Sequence, residues 1–226
     1  MKSSVHVLGR YELVPQAEPD PDLDVCSQRL QQARIKRVID VVAVLVGLTL
    51  LLPFLLLVAA AVVLDCPGPV LFRQRRTGLN GVPFVIYKFR TMRVQEDGPV
   101  VAQARREDER TTRLGKVLRR WSIDELPQLL NVLKGEMSLV GPRPHAVAHD
   151  HYYAARIHGY NNRFKAKPGI TGLAQVSGYR GEIRHLDEME ARVRADVDYI
   201  RVWTVGLDIQ ILVTTLLTFS RDSAAY

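Results

Sequence analysis

Val41-Val-Ala-Val-Leu-Val-Gly-Leu-Thr-Leu-Leu-Leu-Pro53-Phe-Leu-Leu-Leu-Val-Ala-Ala-Ala-Val-Val-Leu64 runs for 24 residues without a charge. As a helix it would reach about 36 Å, more than the roughly 30 Å of a bilayer's hydrocarbon core. The stretch therefore reads as membrane-embedded, and its details argue against a simple crossing. Pro53 falls in the middle, where its missing N–H and its ring break the hydrogen-bond ladder, with Gly47 and Thr49 loosening the turn before it. Cations flank both ends: Arg34, Lys36 and Arg37 before, Arg73, Arg75 and Arg76 after. Positive charge marks the cytoplasmic side, so both ends favour one face. A helix that enters, breaks at Pro53 and returns satisfies both flanks better than a crossing anchor. Asp40 stands at the mouth of the run, at helical spacing from Arg37 and within pairing reach of it, and structural anchoring is the role expected of the two.

Around this element the chain divides into three parts. Residues 1–33 read as a flexible polar tail, with Pro15, Pro19 and Pro21 among acidic residues and no sustained periodicity. They lack the pattern of a secretory signal, so export is not expected. Residues 34–66 form the helix-break-helix. Pro67-Gly68-Pro69 then opens a third part, residues 67–226, with the composition of a water-facing domain lying on the membrane. The net charge of +7 calls for anionic partners, among which acidic lipid, nucleic acid and nucleotide substrates are equally served. Cys26 and Cys66 are far apart and support neither a disulfide framework nor a zinc site.

Within the third part, Val70–Arg73 and Val82–Phe89 flank Thr77-Gly78-Leu79-Asn80-Gly81 and read as a β-hairpin. Its cations, Lys88 and Arg90 among them, suit a face turned toward acidic headgroups. Thr111 to Trp121 places Leu114, Val117, Leu118 and Trp121 on one side of a helix, and Leu126, Leu129, Leu130 and Leu133 do the same for the next. Ile183 to Ile200 is a further amphipathic helix carrying Asp196 on the flank of its apolar stripe. Leu207 to Phe219 is too short and too polar to span a bilayer, and is expected at the interface or packed under the domain. The fold class is α/β or α+β: a small hairpin or sheet with several amphipathic helices, anchored by the Pro-broken re-entrant helix.

Between the two central helices lies Ser122-Ile123-Asp124-Glu125-Leu126-Pro127-Gln128. Adjacent carboxylates beside cations can attack phosphorus. Ser122-x-x-Glu125 is also a capping box, which needs no chemistry. A cap at Ser122 would put Pro127 at the fifth helical position, so a start near Asp124 is expected instead, with that carboxylate at the helix N-terminus. Spacing alone leaves capping and catalysis both open. His145, His149, His151 and His158 have no usual ligand spacing and read as surface or packing residues.

Five blocks in order then carry a resemblance: Arg73-Gln74-Arg75-Arg76-x-Gly78, Lys88-Phe89-Arg90-Thr91-Met92, Ser122 to Leu133, Met137-Ser138-Leu139-Val140-Gly141-Pro142-Arg143-Pro144, and Pro168-Gly169-Ile170-Thr171-Gly172. From about Lys36 onward the chain resembles the bacterial monotopic polyprenyl-phosphate phosphoglycosyl transferases. It is most similar to the undecaprenyl-phosphate glucose phosphotransferases, with galactose as another sugar to consider. The resemblance implies transfer of a sugar-1-phosphate from a UDP-sugar to undecaprenyl phosphate, with Mg²⁺, at the cytoplasmic face of the bacterial inner membrane among its lipids. It implies Asp124 as nucleophile, Glu125 as its helper, and Arg143 between Pro142 and Pro144 as a phosphate ligand. Lys88 and Arg90 would complete the anion site, Asp124 and Asp196 would attend the metal, and Pro53 would break the membrane helix. Relatives often carry Ser-Pro at that break, where this chain has Leu52-Pro53. Homo-oligomerisation stays open. A nucleic-acid module is not expected, because aromatics do not interleave the cations. A membrane-tethered basic binding or scaffold protein is the remaining alternative, and it would not require an intact dyad.

Overall fold

Helix α1 (Pro21–Gln32) begins with a strong start signal: the Asp20 carboxylate accepts from the Leu23 N–H, Pro21 takes the first helical position, and Asp22 and Asp24 occupy the first turn. These residues were expected to be tail. In the computed structural model, which describes residues 17, 19–93, 108–181, 183 and 185–218, they form a helix that buries Leu23 and Leu30. Those two side chains join Val140, Tyr199, Ile200 and Ile211 in one core cluster. Two inward leucines seven residues, or about two turns, apart are too few to show in the sequence. Residues 1–16 of the expected tail and Phe219, the end of the last apolar stretch, lie outside the described residues.

Helix α2 (Arg34–Asp65) is 32 residues long and is the one described helix long and apolar enough to cross a membrane. The expected break at Pro53 is not a gap, since the helix runs through it. Pro53 still removes one rung, and four residues earlier the Thr49 hydroxyl turns back on the Leu45 carbonyl at 2.9 Å. Both halves of α2 meet the same domain: Val44 packs with Phe84, Ile86 and Val132, while Val58 and Val62 pack with Phe89 and Leu118. Between them Leu45, Leu50, Leu52, Phe54, Leu56 and Leu57 are exposed.

The expected hairpin is present as β1 (Leu71–Thr77) antiparallel to β2 (Pro83–Phe89), turned at Asn80 with a left-handed φ of 54°. Next come α3 (Arg113–Arg120), capped by the Thr112 hydroxyl, and α4 (Leu129–Lys134). A second pairing was not expected: β3 (Ser138–Val140) lies parallel to β4 (Gly169–Thr171). A methyl group on Gly169 would collide with the Gly141 backbone, so the glycines of the Pro168–Gly172 segment serve close approach of chain to chain. The remaining helices are α5 (Val147–Ala154), α6 (Leu173–Val176), α7 (Leu186–Val202) and α8 (Val205–Thr218). Helix α8 turns Ile211 and Asp208 inward and leaves Ile209, Val213, Leu216 and Leu217 exposed, as an interfacial helix would.

Arg37 and Asp40 do not pair with each other. Arg37 donates to the carbonyls of Val132 and Leu133 at the end of α4, where orphan acceptors wait. Asp40 accepts from the Ser138 hydroxyl and the Leu139 N–H. With Lys36 bound to the Val140 carbonyl and to Asp208, these contacts dock the start of α2 onto β3.

Candidate active site

The dyad sits on a 3₁₀ stretch, Ile123–Gln128, entered through Ser122 in a left-handed conformation (φ 48°). The helix was expected to start near Asp124. It starts one residue earlier, and because Pro127 cannot donate, the chain makes this tight stretch and begins α4 only at Leu129. No capping box forms: the Ser122 hydroxyl accepts from Arg180, and the Glu125 side chain points to other partners. Asn131, fully buried on α4, fastens the element to the β2 backbone by accepting from the Tyr87 N–H at 3.1 Å and donating to the Val85 carbonyl at 2.7 Å.

That fastening brings β2 beside the dyad. Lys88 Nζ lies 2.8 Å from Glu125 Oε1, and the Arg143 fork takes both Glu125 oxygens at 2.5 and 3.1 Å. Burial alone would raise the Glu125 pKa; the charges of Arg143 and Lys88 and their hydrogen bonds overcome it and hold the carboxyl well below the usual range. Asp124 goes the other way. Burial first, and then the neighbouring Glu125 charge, push it up to about 6 against the pull of Lys88, Arg119 and Arg143. Burial also lowers Lys88, opposed by Glu125. One carboxylate is thus clamped and ionised, while its neighbour titrates close to neutrality.

These contacts bring Arg143 and Lys88 together at Glu125, with Pro142 and Pro144 on either side of Arg143 in its turn. Arg90 does not join them. Its guanidinium donates to the carbonyls of Cys66 and Pro67, closing the turn that leaves α2, so it belongs to the anchor rather than the anion site. Asp196 is likewise misread by its place on the helix margin. It is fully buried against Arg163, accepting from Nε at 3.0 Å and Nη2 at 2.6 Å, and this ion pair occupies the side it would offer a metal. Arg163 and Asn131 were missed, because a single inward polar residue leaves no periodic trace. His145 is buried and bound to Tyr160 and Arg163, a packing role as expected.

Among the described residues no cluster of three or more His, Cys, Asp or Glu side chains could cage a metal ion. Mg²⁺ does not require one, being held by one or two carboxylates when substrate phosphates and water supply the other oxygens. Asp124 fits that sparse set, and Glu125 would join it once its accessible partners Arg143 and Lys88 turn to the phosphates; Asp196, sealed with Arg163 at 1% exposure, does not fit.

Residues 31–222 match the domain described as bacterial sugar transferase. The chain is 56% identical over 191 residues to the UDP-glucose:undecaprenyl-phosphate glucose-1-phosphate transferase of Caulobacter vibrioides, covering 84% of this chain and 72% of that protein. An Escherichia coli protein of the same name is 51% identical over 85% of this chain. A UDP-N-acetylgalactosamine-undecaprenyl-phosphate N-acetylgalactosaminephosphotransferase of Aeromonas hydrophila is 40% identical over 82%. The chain spans only 41% and 44% of the length of the latter two.

Proposed function

This chain is an enzyme of the bacterial sugar transferase family, and from that premise we propose that it transfers a sugar-1-phosphate from a UDP-sugar to undecaprenyl phosphate, releasing UMP. The observation that carries the reading is the opposite tuning of adjacent carboxylates: Glu125 clamped by Arg143 and Lys88, Asp124 raised to about 6. At neutral pH Asp124 is ionised yet still basic enough to attack.

One Asp124 oxygen attacks the β-phosphorus, which carries the sugar. The bond from that phosphorus to the bridging oxygen breaks, and UMP leaves with the electron pair. A phosphosugar-aspartyl intermediate, an acyl phosphate, remains. A phosphate oxygen of the lipid then attacks the same phosphorus, the aspartyl bond breaks, and Asp124 is restored. Arg143 and Lys88 meet the charge on the phosphoryl oxygens, and Glu125 holds their donors in place until substrate arrives. Mg²⁺, held through Asp124 and Glu125, would supply further neutralisation of the diphosphate.

The proposed setting is the cytoplasmic face of a bacterial inner membrane, with α2 re-entrant at Pro53. In its support, both halves of α2 pack on one domain while its middle is exposed and apolar. Tags on the two flanks should share one protease sensitivity in sealed vesicles; opposite sensitivities refute the hairpin. The names of the relatives favour glucose, and the product would start an exopolysaccharide or similar glycoconjugate. The test is incubation with labelled UDP-glucose, Mg²⁺ and undecaprenyl phosphate. Lipid-linked sugar phosphate and UMP should appear in equal amounts, and a panel with UDP-galactose and UDP-N-acetylgalactosamine ranks the sugar. Failure of every sugar overturns the reading.

A further inference from the structure

Pro142 and Pro144 have no amide hydrogens, so the turn that carries Arg143 is anchored chiefly through its carbonyls. Three in succession accept hydrogen bonds. The Pro142 carbonyl takes the Gly169 N–H at 2.9 Å, the Arg143 carbonyl takes Arg163 Nη2 at 2.6 Å, and the Pro144 carbonyl takes Arg76 Nη1 at 3.3 Å.

Arg163 differs from the other two donors. It is 1% exposed, and its guanidinium is fixed on every side. Nε and Nη2 meet Asp196 Oδ2, and Nη1 meets His145 Nδ1 at 2.7 Å and the Tyr160 hydroxyl at 3.1 Å. Tyr160 in turn donates to Asp150 at 2.7 Å. A planar fork held at that many points has one orientation left, and its Nη2 points at the backbone of Arg143. Core stability alone would need the Asp196 ion pair; it would not need a donor aimed at the residue whose side chain grips Glu125.

We infer that Arg163 is the positioning residue for Arg143: clamped by Asp196, it holds the Gly141–Pro144 turn by the Arg143 carbonyl so that the Arg143 fork meets the diphosphate of the nucleotide sugar. The identity of that ligand rests on the proposed function. Asp196 thus acts on the site through two arginines rather than through a metal.

The test is a double-mutant cycle on the full-length chain in lipid nanodiscs, read as UDP binding by calorimetry and as KM for UDP-glucose and for undecaprenyl phosphate. Arg163→Lys keeps the charge opposite Asp196 but replaces the fork with a point donor. It should weaken UDP binding by about tenfold or more and raise the KM for UDP-glucose to match, leaving the KM for the lipid nearly unchanged. In an Arg143→Gln background the same substitution should add almost nothing, because the side chain being positioned is gone. Unchanged UDP binding in Arg163→Lys, or losses that simply multiply, would overturn the inference. Where thermal unfolding shows Arg163→Lys to be misfolded, Asp196→Asn closes the cycle with the same expectation and the same contradiction. UDP binding needs no turnover, so absence of transfer by the wild-type chain would sink the proposed function while the cycle remained readable.

Discussion

Two arginine–carboxylate clusters in this chain use one chemistry to different ends. Around Glu125, Arg143 and Lys88 keep 22% and 18% of their side chains exposed, and a second carboxylate stands next door. Around Asp196, Arg163 is closed off, with 1% exposure on either partner. An accessible fork can trade a carboxylate for phosphate oxygens and return to it. A sealed one keeps its geometry and nothing else. In sequence both are an acid somewhere near basic residues; accessibility separates the exchangeable cluster from the fixed one.

The largest expected effect falls on the accessible side. Asp124→Asn should lower the transfer rate on the order of 10⁴-fold or more with the fold intact by circular dichroism. Should Asp196→Asn lose as much rate at undiminished stability, the distinction between the clusters fails. Next comes Asp196→Ala, which removes the nearest counter-charge of the buried Arg163 and leaves it, among the described residues, only Asp150, at 3.7 Å. Urea unfolding should show a loss of about 3–5 kcal/mol, and Glu125→Gln, whose partners reach solvent, should cost clearly less. Equal losses would break the comparison. A third effect is kinetic: Arg143→Gln should raise the KM for the UDP-sugar by roughly ten- to a hundredfold, measured at saturating lipid.

The pH effects are smaller and carry a definite sign. The Asp124 pKa is raised from 3.8 to about 6, so kcat/KM should climb with pH through about 6 and level off above it, as the free enzyme's carboxyl ionises. Because the folded pKa exceeds the unfolded one, ionised Asp124 costs stability. That cost is absent below 3.8 and complete above about 6. Asp124→Asn should therefore match the wild type in stability near pH 4 and exceed it by up to about 3 kcal/mol at pH 8, seen as a higher Tm. A variant that is less stable at pH 8 would show that Asp124 is held by its neighbours as firmly as Glu125.

What could be read in the sequence was what short range decides. The hairpin follows from apolar runs around Thr77–Gly81 and α3 and α7 from their periodicity, while the dyad stayed open between cap and catalysis until the order of the five blocks was considered. Contacts between distant segments were hidden. Helix α1 has only Leu23 and Leu30 to bury, and the surface that receives them comes from Tyr199, Ile200 and Ile211, far along the chain. Strands β3 and β4 are three residues each and pair in parallel across some 30 residues, too short for any pattern. Arg37 and Asp40 looked like partners because helical spacing joins them, yet each found backbone groups of another element. Arg90 shared a block with Lys88 but sits two residues further along β2's exit, where the carbonyls ending α2 claim it. Asp196 looked marginal on its own helix because the arginine that buries it comes from the Tyr160–Lys165 turn.

The central claim is that Asp124, and not its clamped neighbour, receives the sugar phosphate. The direct measurement is to mix the protein with UDP-glucose and Mg²⁺ in the absence of lipid acceptor, quench, and examine UMP release and peptide mass. About one UMP per active site should appear in a burst, with a hexose phosphate on the peptide carrying Asp124 that is discharged when undecaprenyl phosphate is added. No UMP until lipid is present, or a label that persists in Asp124→Asn, would contradict the account.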